Sequence, residues 1–133
     1  MKKKQELDFL VVDDEKIVLK VISKILDQYD VTYECYQSPD VVFDIIEEKR
    51  PKVVLLDYYI SDKTADQIMV KVSEKALFKG IEYYLMTGRD MNHDQKVEIR
   101  TLGIIHIISK PITEQHIEFI IKEALGRDVK KVA

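Results

Sequence analysis

Short apolar runs alternate along the chain with longer segments in which apolar residues recur every three or four positions. The clearest run is Val53-Val54-Leu55-Leu56, which ends on Asp57. A run of this kind, without polar alternation, is typical of a strand that is buried on both faces of a parallel sheet. Strands are also predicted at 7–12, 31–36, 81–86 and 104–108, so the pattern predicts five strands.

A helix is predicted after each strand. After the first strand, six apolar residues fall at helical spacing and predict one apolar stripe: Ile17, Val18, Val21, Ile22, Ile25 and Leu26. The next three helices are predicted at 41–49, 65–75 and 92–102, and the last runs to about Leu125. Ser38, Thr64 and Thr113 are the predicted N-terminal caps of the second, third and fifth helices.

Strands that alternate with helices indicate an α/β protein with right-handed crossovers and helices on both faces of a parallel sheet. We predict a flavodoxin-like, doubly wound five-stranded parallel sheet with five helices and the strand order 2-1-3-4-5. In that order strands 1 and 3 lie side by side at the point where the winding reverses. Ligands bind to such sheets at the carboxyl ends of the strands near this point.

Polar residues follow four of the predicted strands: Asp13-Asp14, Asp57, Thr87 and Lys110. Because parallel strands end at the same edge of the sheet, these side chains should converge in one crevice. Three carboxylates in one crevice repel each other unless a cation lies between them, and Mg²⁺ suits oxygen ligands of this kind. Lys110 and Thr87 could then hold a phosphoryl group, most simply one carried by Asp57.

With this set of motifs the chain resembles a response-regulator receiver domain of bacterial two-component signalling, similar to the single-domain chemotaxis type. The resemblance extends over residues 7–125. It implies that Asp57 accepts a phosphoryl group from a histidine kinase or a phosphotransfer protein. It also implies that Thr87 and Lys110 hold that group, and that the Lys110–Pro111 peptide bond is cis.

The resemblance further implies a Mg²⁺ ion held by Asp13, Asp14, Asp57 and the backbone carbonyl of Tyr59. Such a domain is a phosphoacceptor rather than an enzyme, and at most it phosphorylates itself from small phosphodonors and loses the group again. It switches the binding of an output protein, here unidentified, through the face formed by helix 4, strand 5 and helix 5. The same face is a candidate homodimer interface.

The chain departs from the family pattern at several positions. Ser61 and Ala65 stand where a proline and a glycine are usual, and Gly88 follows the hydroxyl residue in place of alanine. Ile107 stands three residues before Lys110, where receivers usually carry a switch aromatic. We therefore expect the output to depend on movement of Thr87 and on backbone and packing shifts.

Two residues near that face have their own expectations. His106 should point to the opposite side of the strand from Ile107, so it does not replace the missing aromatic ring. Phe119 should lie among polar residues of the last helix, where an apolar ring suggests a contact surface.

Three other functions remain open from the sequence. One is a pseudo-receiver that acts only as a scaffold. Another is a Mg²⁺-dependent phosphatase of the haloacid dehalogenase type, although that family needs a second acid two residues after the first, where this chain has Tyr59. A flavodoxin is the third, but the acidic turn Asp13-Asp14-Glu15 would repel a phosphate.

Length and charge limit the choice further. The chain has 133 residues and a net charge of −3, from which we predict one domain without a surface that binds nucleic acid. We place a receiver domain at 1–126 and a short C-terminal tail, or the start of a linker, at 127–133. No apolar run of membrane-spanning length follows the basic start at 1–6, so we expect no membrane partner and a cytoplasmic location.

Overall fold

The computed structural model of the protein describes residues 7–77, 79–126 and 131–132. Its main sheet has five strands: β1 (Phe9–Val12), β2 (Tyr33–Tyr36), β3 (Val53–Asp57), β4 (Glu82–Thr87) and β5 (Ile104–Ser109). Neighbouring strands are parallel and their order is β2-β1-β3-β4-β5, which confirms the predicted flavodoxin-like topology. Val12 lies beside Leu56 in the register, so Asp13 and Asp57 leave the sheet next to each other.

Five α-helices connect and follow the strands: α1 (Lys16–Leu26), α2 (Val42–Lys49), α3 (Ala65–Glu74), α4 (His93–Thr101) and α5 (Glu114–Leu125). A turn of 3₁₀-helix at Pro39–Val41 precedes α2. Thr113 caps α5 as predicted, because its Oγ1 accepts a hydrogen bond from the His116 N–H at 3.3 Å. Such local bonds satisfy the free N–H groups of a helix start, which is why these starts could be predicted.

The central strands are held between two apolar layers, since successive strand residues point to opposite faces of the sheet. In β3, Val54 and Leu56 pack in the layer beneath α2, α3 and α4. Val53 and Leu55 pack in the layer beneath α1 and α5. Each is at most 1% exposed, and burying a side chain of this kind contributes roughly 1.5 to 3 kcal/mol. This packing fixes the position of Asp57 at the end of the strand.

The predicted apolar stripe of α1 is only partly buried. Ile17 and Val21 are 70% and 44% exposed, whereas Leu19, Ile22 and Leu26 are buried. Helical spacing defines an apolar side of the helix but not the part of that side that meets the sheet. The exposed half of the stripe lines a groove of about 430 Å³ beside Lys110, Pro111 and Ile112.

The segment after β3 forms a small antiparallel hairpin that the sequence did not predict. Tyr59–Ile60 pairs with Lys63–Thr64. Ser61 has φ 58 at the turn, in the left-handed region that is unfavourable for residues with a side chain. Strands of two residues are too short to produce a visible alternation of apolar and polar positions.

Two predicted features lie wholly or mostly outside the described residues. They are the basic start at 1–6 and the tail at 127–133, of which the structure describes Lys131 and Val132. The Val132 N–H donates to the Gln28 carbonyl at 2.6 Å, and Lys131 Nζ lies 2.5 Å from Glu114 Oε1. In the part of the chain that is described, no helix is long and apolar enough to cross a membrane.

Candidate functional site

Three of the predicted site residues meet where β1, β3 and β5 end. Lys110 Nζ lies 2.8 Å from Asp13 Oδ2 and 3.0 Å from Asp57 Oδ1. The Asp13 side chain is fully buried and that of Asp57 is 9% exposed. The parallel register places both carboxylates at one edge, and Lys110 enters from the loop after β5, where the Lys110–Pro111 peptide bond is cis as predicted. The Lys110 ammonium group therefore forms ion pairs with both carboxylates.

Lys110 does not fully compensate this buried charge. Burial, together with the charge of Asp13, raises the pKa of Asp57 to about 6. Lys110 and the Tyr58 N–H oppose that shift without cancelling it. Burial by itself would lower the pKa of Lys110, but its close ion pairs with Asp13 and Asp57 raise that pKa above its usual value. The crevice thus retains an excess of negative charge that a further cation could offset.

The residues present fit a hard divalent cation such as Mg²⁺. Carboxylate oxygens of Asp13, Asp14, Glu15 and Asp57 all lie within 4.8 Å of one another. Among the described residues, Asp13 Oδ2 is a buried oxygen without a hydrogen bond of good geometry, although Lys110 Nζ is close to it. Mg²⁺ binds oxygen ligands of this type and usually keeps several waters.

Glu15 was missing from the predicted site. It is exposed, and its Oε1 lies 3.7 Å from Lys110 Nζ. Its place directly after the acidic pair was the available signal in the sequence. The Tyr59 carbonyl, by contrast, stays a predicted ligand.

Asp14 is held by the hairpin that follows β3. Its Oδ2 accepts a hydrogen bond from the Ser61 N–H at 2.9 Å. A proline, which is usual at this position in the family, has no N–H and could not make this bond. The substitution of Ser61 for proline therefore gives Asp14 a partner on the hairpin.

Thr87 is buried at the end of β4, with 4% of its surface exposed. Its hydroxyl accepts a hydrogen bond from the Arg89 N–H at 3.1 Å and donates to the Arg89 carbonyl at 3.3 Å. The hydroxyl is thus engaged with the loop between β4 and α4. Gly88 between them could be alanine without a clash, since a Cβ there would meet nothing within 4 Å.

A cluster beside the acidic crevice was not found from the sequence. The rings of Tyr58 and Tyr59 meet edge to face with centroids 4.8 Å apart. The guanidinium carbon of Arg89 lies 5.7 Å from the Tyr58 ring centroid and 5.3 Å from that of Tyr59. Arg89 also donates a hydrogen bond to the Tyr59 hydroxyl. We call these three residues the tyrosine–arginine cluster.

The opposite side of β5 carries a second aromatic group. The His106 ring stacks on Tyr84 with centroids 5.7 Å apart, and it meets the Phe119 ring edge to face at 5.3 Å. The half-buried His106 ring therefore contacts two other aromatic rings. Phe119 is 46% exposed, as predicted, while Ile107 packs against the layer beneath α2, α3 and α4.

Comparison with known proteins agrees with this geometry. Residues 9–122 match the response regulator receiver domain. The chain is 30% identical over 108 residues to stress response regulator protein 1 of Scheffersomyces stipitis, and the match covers 80% of this chain. It covers 37% of that protein, so the chain spans little more than a third of this curated relative.

Solved structures show the same fold. A CheY-like response regulator receiver domain protein from Methanospirillum hungatei superposes with a TM-score of 0.79 at 20% identity, over 92% of this chain and 95% of the other. A two-component response regulator from Legionella pneumophila gives 0.80 at 16% identity, over 92% and 100%. Since the match of the family covers most of the chain, from β1 into α5, the protein belongs to the response regulator receiver domain family.

Proposed function

We propose that this receiver domain is a phosphoacceptor in which Asp57 takes a phosphoryl group from a histidine kinase or a phosphotransfer protein. The observation that carries the proposal is the position of Lys110 Nζ, 2.8 Å from Asp13 and 3.0 Å from Asp57. A lysine held between two buried carboxylates can pair with a phosphoryl oxygen as soon as one carboxylate is esterified. Burying charged groups lowers the stability of the fold, and a scaffold without phosphotransfer would gain nothing that offsets this loss.

The transfer itself needs one nucleophile and a leaving group. A carboxylate oxygen of Asp57 attacks the phosphorus of a phosphohistidine, the new O–P bond forms as the P–N bond breaks, and the electron pair stays on the imidazole nitrogen. Asp13, Asp14 and Asp57, with the Tyr59 carbonyl, would hold Mg²⁺, which offsets negative charge on the transferred group. Lys110 stabilises a phosphoryl oxygen, and the Thr87 hydroxyl turns from Arg89 to donate to another.

Phosphorylation is proposed to change partner binding at the face of α4, β5 and α5. Each of these elements presents an exposed apolar side chain: Val97 is 47%, Ile105 41% and Phe119 46% exposed. Exposed apolar residues on three adjacent elements suit a contact surface for an output protein or a second copy of the chain. One solved receiver with this fold, at 22% identity and TM-score 0.78, is a beryllofluoride-activated NtrC4 receiver domain dimer.

Intact-mass measurement tests the phosphoacceptor assignment directly. The chain is incubated with Mg²⁺ and acetyl phosphate, and the wild type is compared with Asp57→Asn and with the exposed control Asp30→Asn. We expect one phosphoryl adduct on the wild type and on Asp30→Asn, and none on Asp57→Asn. An adduct on Asp57→Asn would show that another residue is the acceptor. If the wild type neither formed an adduct nor bound Mg²⁺, the scaffold function would be favoured.

A further inference from the structure

The position of aromatic residues near the acidic crevice differs from the pattern expected for a receiver. Ile107 replaces the switch aromatic of β5, and two aromatic residues instead follow Asp57 directly. The Tyr58 ring packs against the same apolar layer as Ile107. Tyr59 lies in the hairpin with 49% of its surface exposed. The chain therefore has aromatic rings on the acceptor loop and none at the switch position of β5.

Arg89 joins this loop to the loop after β4. Its guanidinium carbon is 5.3 Å from the Tyr59 ring centroid and 5.7 Å from that of Tyr58, and it donates to the Tyr59 hydroxyl. Arg89 is exposed, and a cation over a ring at an exposed site is held weakly. The side chain can therefore exchange these rings for a stronger partner.

Both ends of the tyrosine–arginine cluster are bonded to the predicted phosphoryl-binding residues. The Tyr58 N–H donates to Asp57 Oδ1 at 2.9 Å. The Thr87 hydroxyl bonds both the N–H and the carbonyl of Arg89. A hydroxyl has one proton, so it cannot donate to a phosphoryl oxygen and to the Arg89 carbonyl at the same time. Any use of Thr87 by a phosphoryl group changes the anchoring of Arg89.

From these contacts we infer that the tyrosine–arginine cluster responds to phosphorylation of Asp57 in this chain, in place of an aromatic residue at the switch position of β5. When the phosphoryl group forms, the Thr87 hydroxyl donates to it and releases the Arg89 carbonyl. The guanidinium then leaves the tyrosine rings and binds the doubly charged phosphoryl group, because charge-assisted hydrogen bonds are stronger than an exposed contact between a cation and a ring. The Tyr59 side chain is thereby released from Arg89. This inference rests on the proposed phosphoacceptor function.

Fluorine NMR of protein labelled with 3-fluorotyrosine can follow the cluster. The Tyr59 resonance is assigned by its loss in Tyr59→Phe, and beryllofluoride with Mg²⁺ serves as the phosphoryl analogue. In the wild type we expect the Tyr59 resonance to shift on addition of beryllofluoride, beyond any change caused by Mg²⁺ alone. In Arg89→Met the resonance should already lie near the shifted position, and the response should be lost.

Two further variants act as controls. Arg89→Lys should retain a response, since an ammonium group is also attracted to ring faces and to phosphoryl oxygens. Lys75→Met removes a cation that lies 5.3 Å from the Phe43 ring centroid, the same distance as Arg89 from Tyr59 but on the side of α2 and α3. It should leave the Tyr59 response unchanged.

Intact mass after treatment with acetyl phosphate separates failure of the relay from failure of the function. An adduct on both wild type and Arg89→Met, with equal Tyr59 shifts in both, would overturn the role of the cluster and leave the phosphoacceptor function standing. A shift produced entirely by Mg²⁺ would also overturn it. Absence of the adduct in the wild type would overturn the proposed function and the relay together.

Discussion

Replacing Asp57 by asparagine should stabilise the protein at neutral pH in buffer that contains EDTA. Asp57 as a whole residue, backbone included, is 6% exposed. Its pKa is raised from an ordinary value of 3.8 to about 6, mainly by burial and also by the charge of Asp13. Between these two pH values the folded protein binds the proton more tightly than the unfolded chain does. The stability that this group contributes is complete below pH 3.8 and is lost as the pH rises through about 6.

The size of the effect follows from the shift. Each pKa unit corresponds to about 1.4 kcal/mol of free energy, so a shift of about two units amounts to roughly 3 kcal/mol at most above pH 7. Asparagine keeps an oxygen that can accept from Lys110 but carries no charge. The variant should therefore gain up to this amount over the wild type at pH 7.5, and the gain should shrink as the pH falls towards 4.

Urea unfolding followed by circular dichroism gives the two free energies at pH 7.5, 6, 5 and 4. The dependence of their difference on pH is the decisive quantity, because a constant offset would reflect packing or hydrogen bonding of the amide. A difference that stayed flat across this range would refute the reasoning. Saturating Mg²⁺ at pH 7.5 should stabilise the wild type more than the variant, since a bound cation compensates the charge that asparagine lacks.

Four further substitutions test other parts of the structure by urea unfolding at pH 7.5. Lys110→Met should lower the free energy of unfolding by about 3 kcal/mol, because it leaves two buried carboxylates without their cation. Lys122→Met, which breaks an exposed pair of 3.3 Å, should cost less than about 0.5 kcal/mol. Gly103→Ala should cost about 1 to 2 kcal/mol, because φ is +119° and the new Cβ would lie 3.0 Å from Met69 Cε. Thr113→Ala should cost about 1 kcal/mol through loss of the α5 cap. Equal losses of unfolding free energy for the two lysine variants would contradict these predictions. So would no loss for Gly103→Ala or for Thr113→Ala.

The fold could be predicted because its signals are local. Val53 to Leu56 form an uninterrupted apolar run, Thr113 makes its capping bond with a residue three positions away, and the alternation of strands and helices restricts the topology. The convergence of Asp13, Asp57 and Lys110 then follows from parallel strands that end at one edge. No contact had to be known in advance for these steps.

The features that escaped prediction depend on contacts between distant segments. Arg89 meets Tyr59 across 30 positions of sequence, and nothing in the pattern of either loop points to the other. The exposed half of the α1 stripe shows the same limit, since the packing of α1 on the sheet leaves Ile17 exposed and Ile22 buried. The Ser61 bond to Asp14 spans 47 positions and also depends on a left-handed residue at a two-residue turn.

Each predicted metal ligand whose side chain would bind already has a partner within the protein. Asp13 and Asp57 share Lys110, and Asp14 accepts from the Ser61 N–H. A cation that took Asp14 Oδ2 would compete with the Ser61 N–H for that oxygen, whereas a cation on Oδ1 would not. In the first case linkage makes the competition reciprocal: a conformation that keeps Ser61 on Asp14 would weaken cation binding by the same factor by which the cation loosens the hairpin. Because Tyr59 belongs to that hairpin, we expect the proposed metal site and the tyrosine–arginine cluster to be coupled if the cation takes Oδ2, and to be independent if it takes Oδ1.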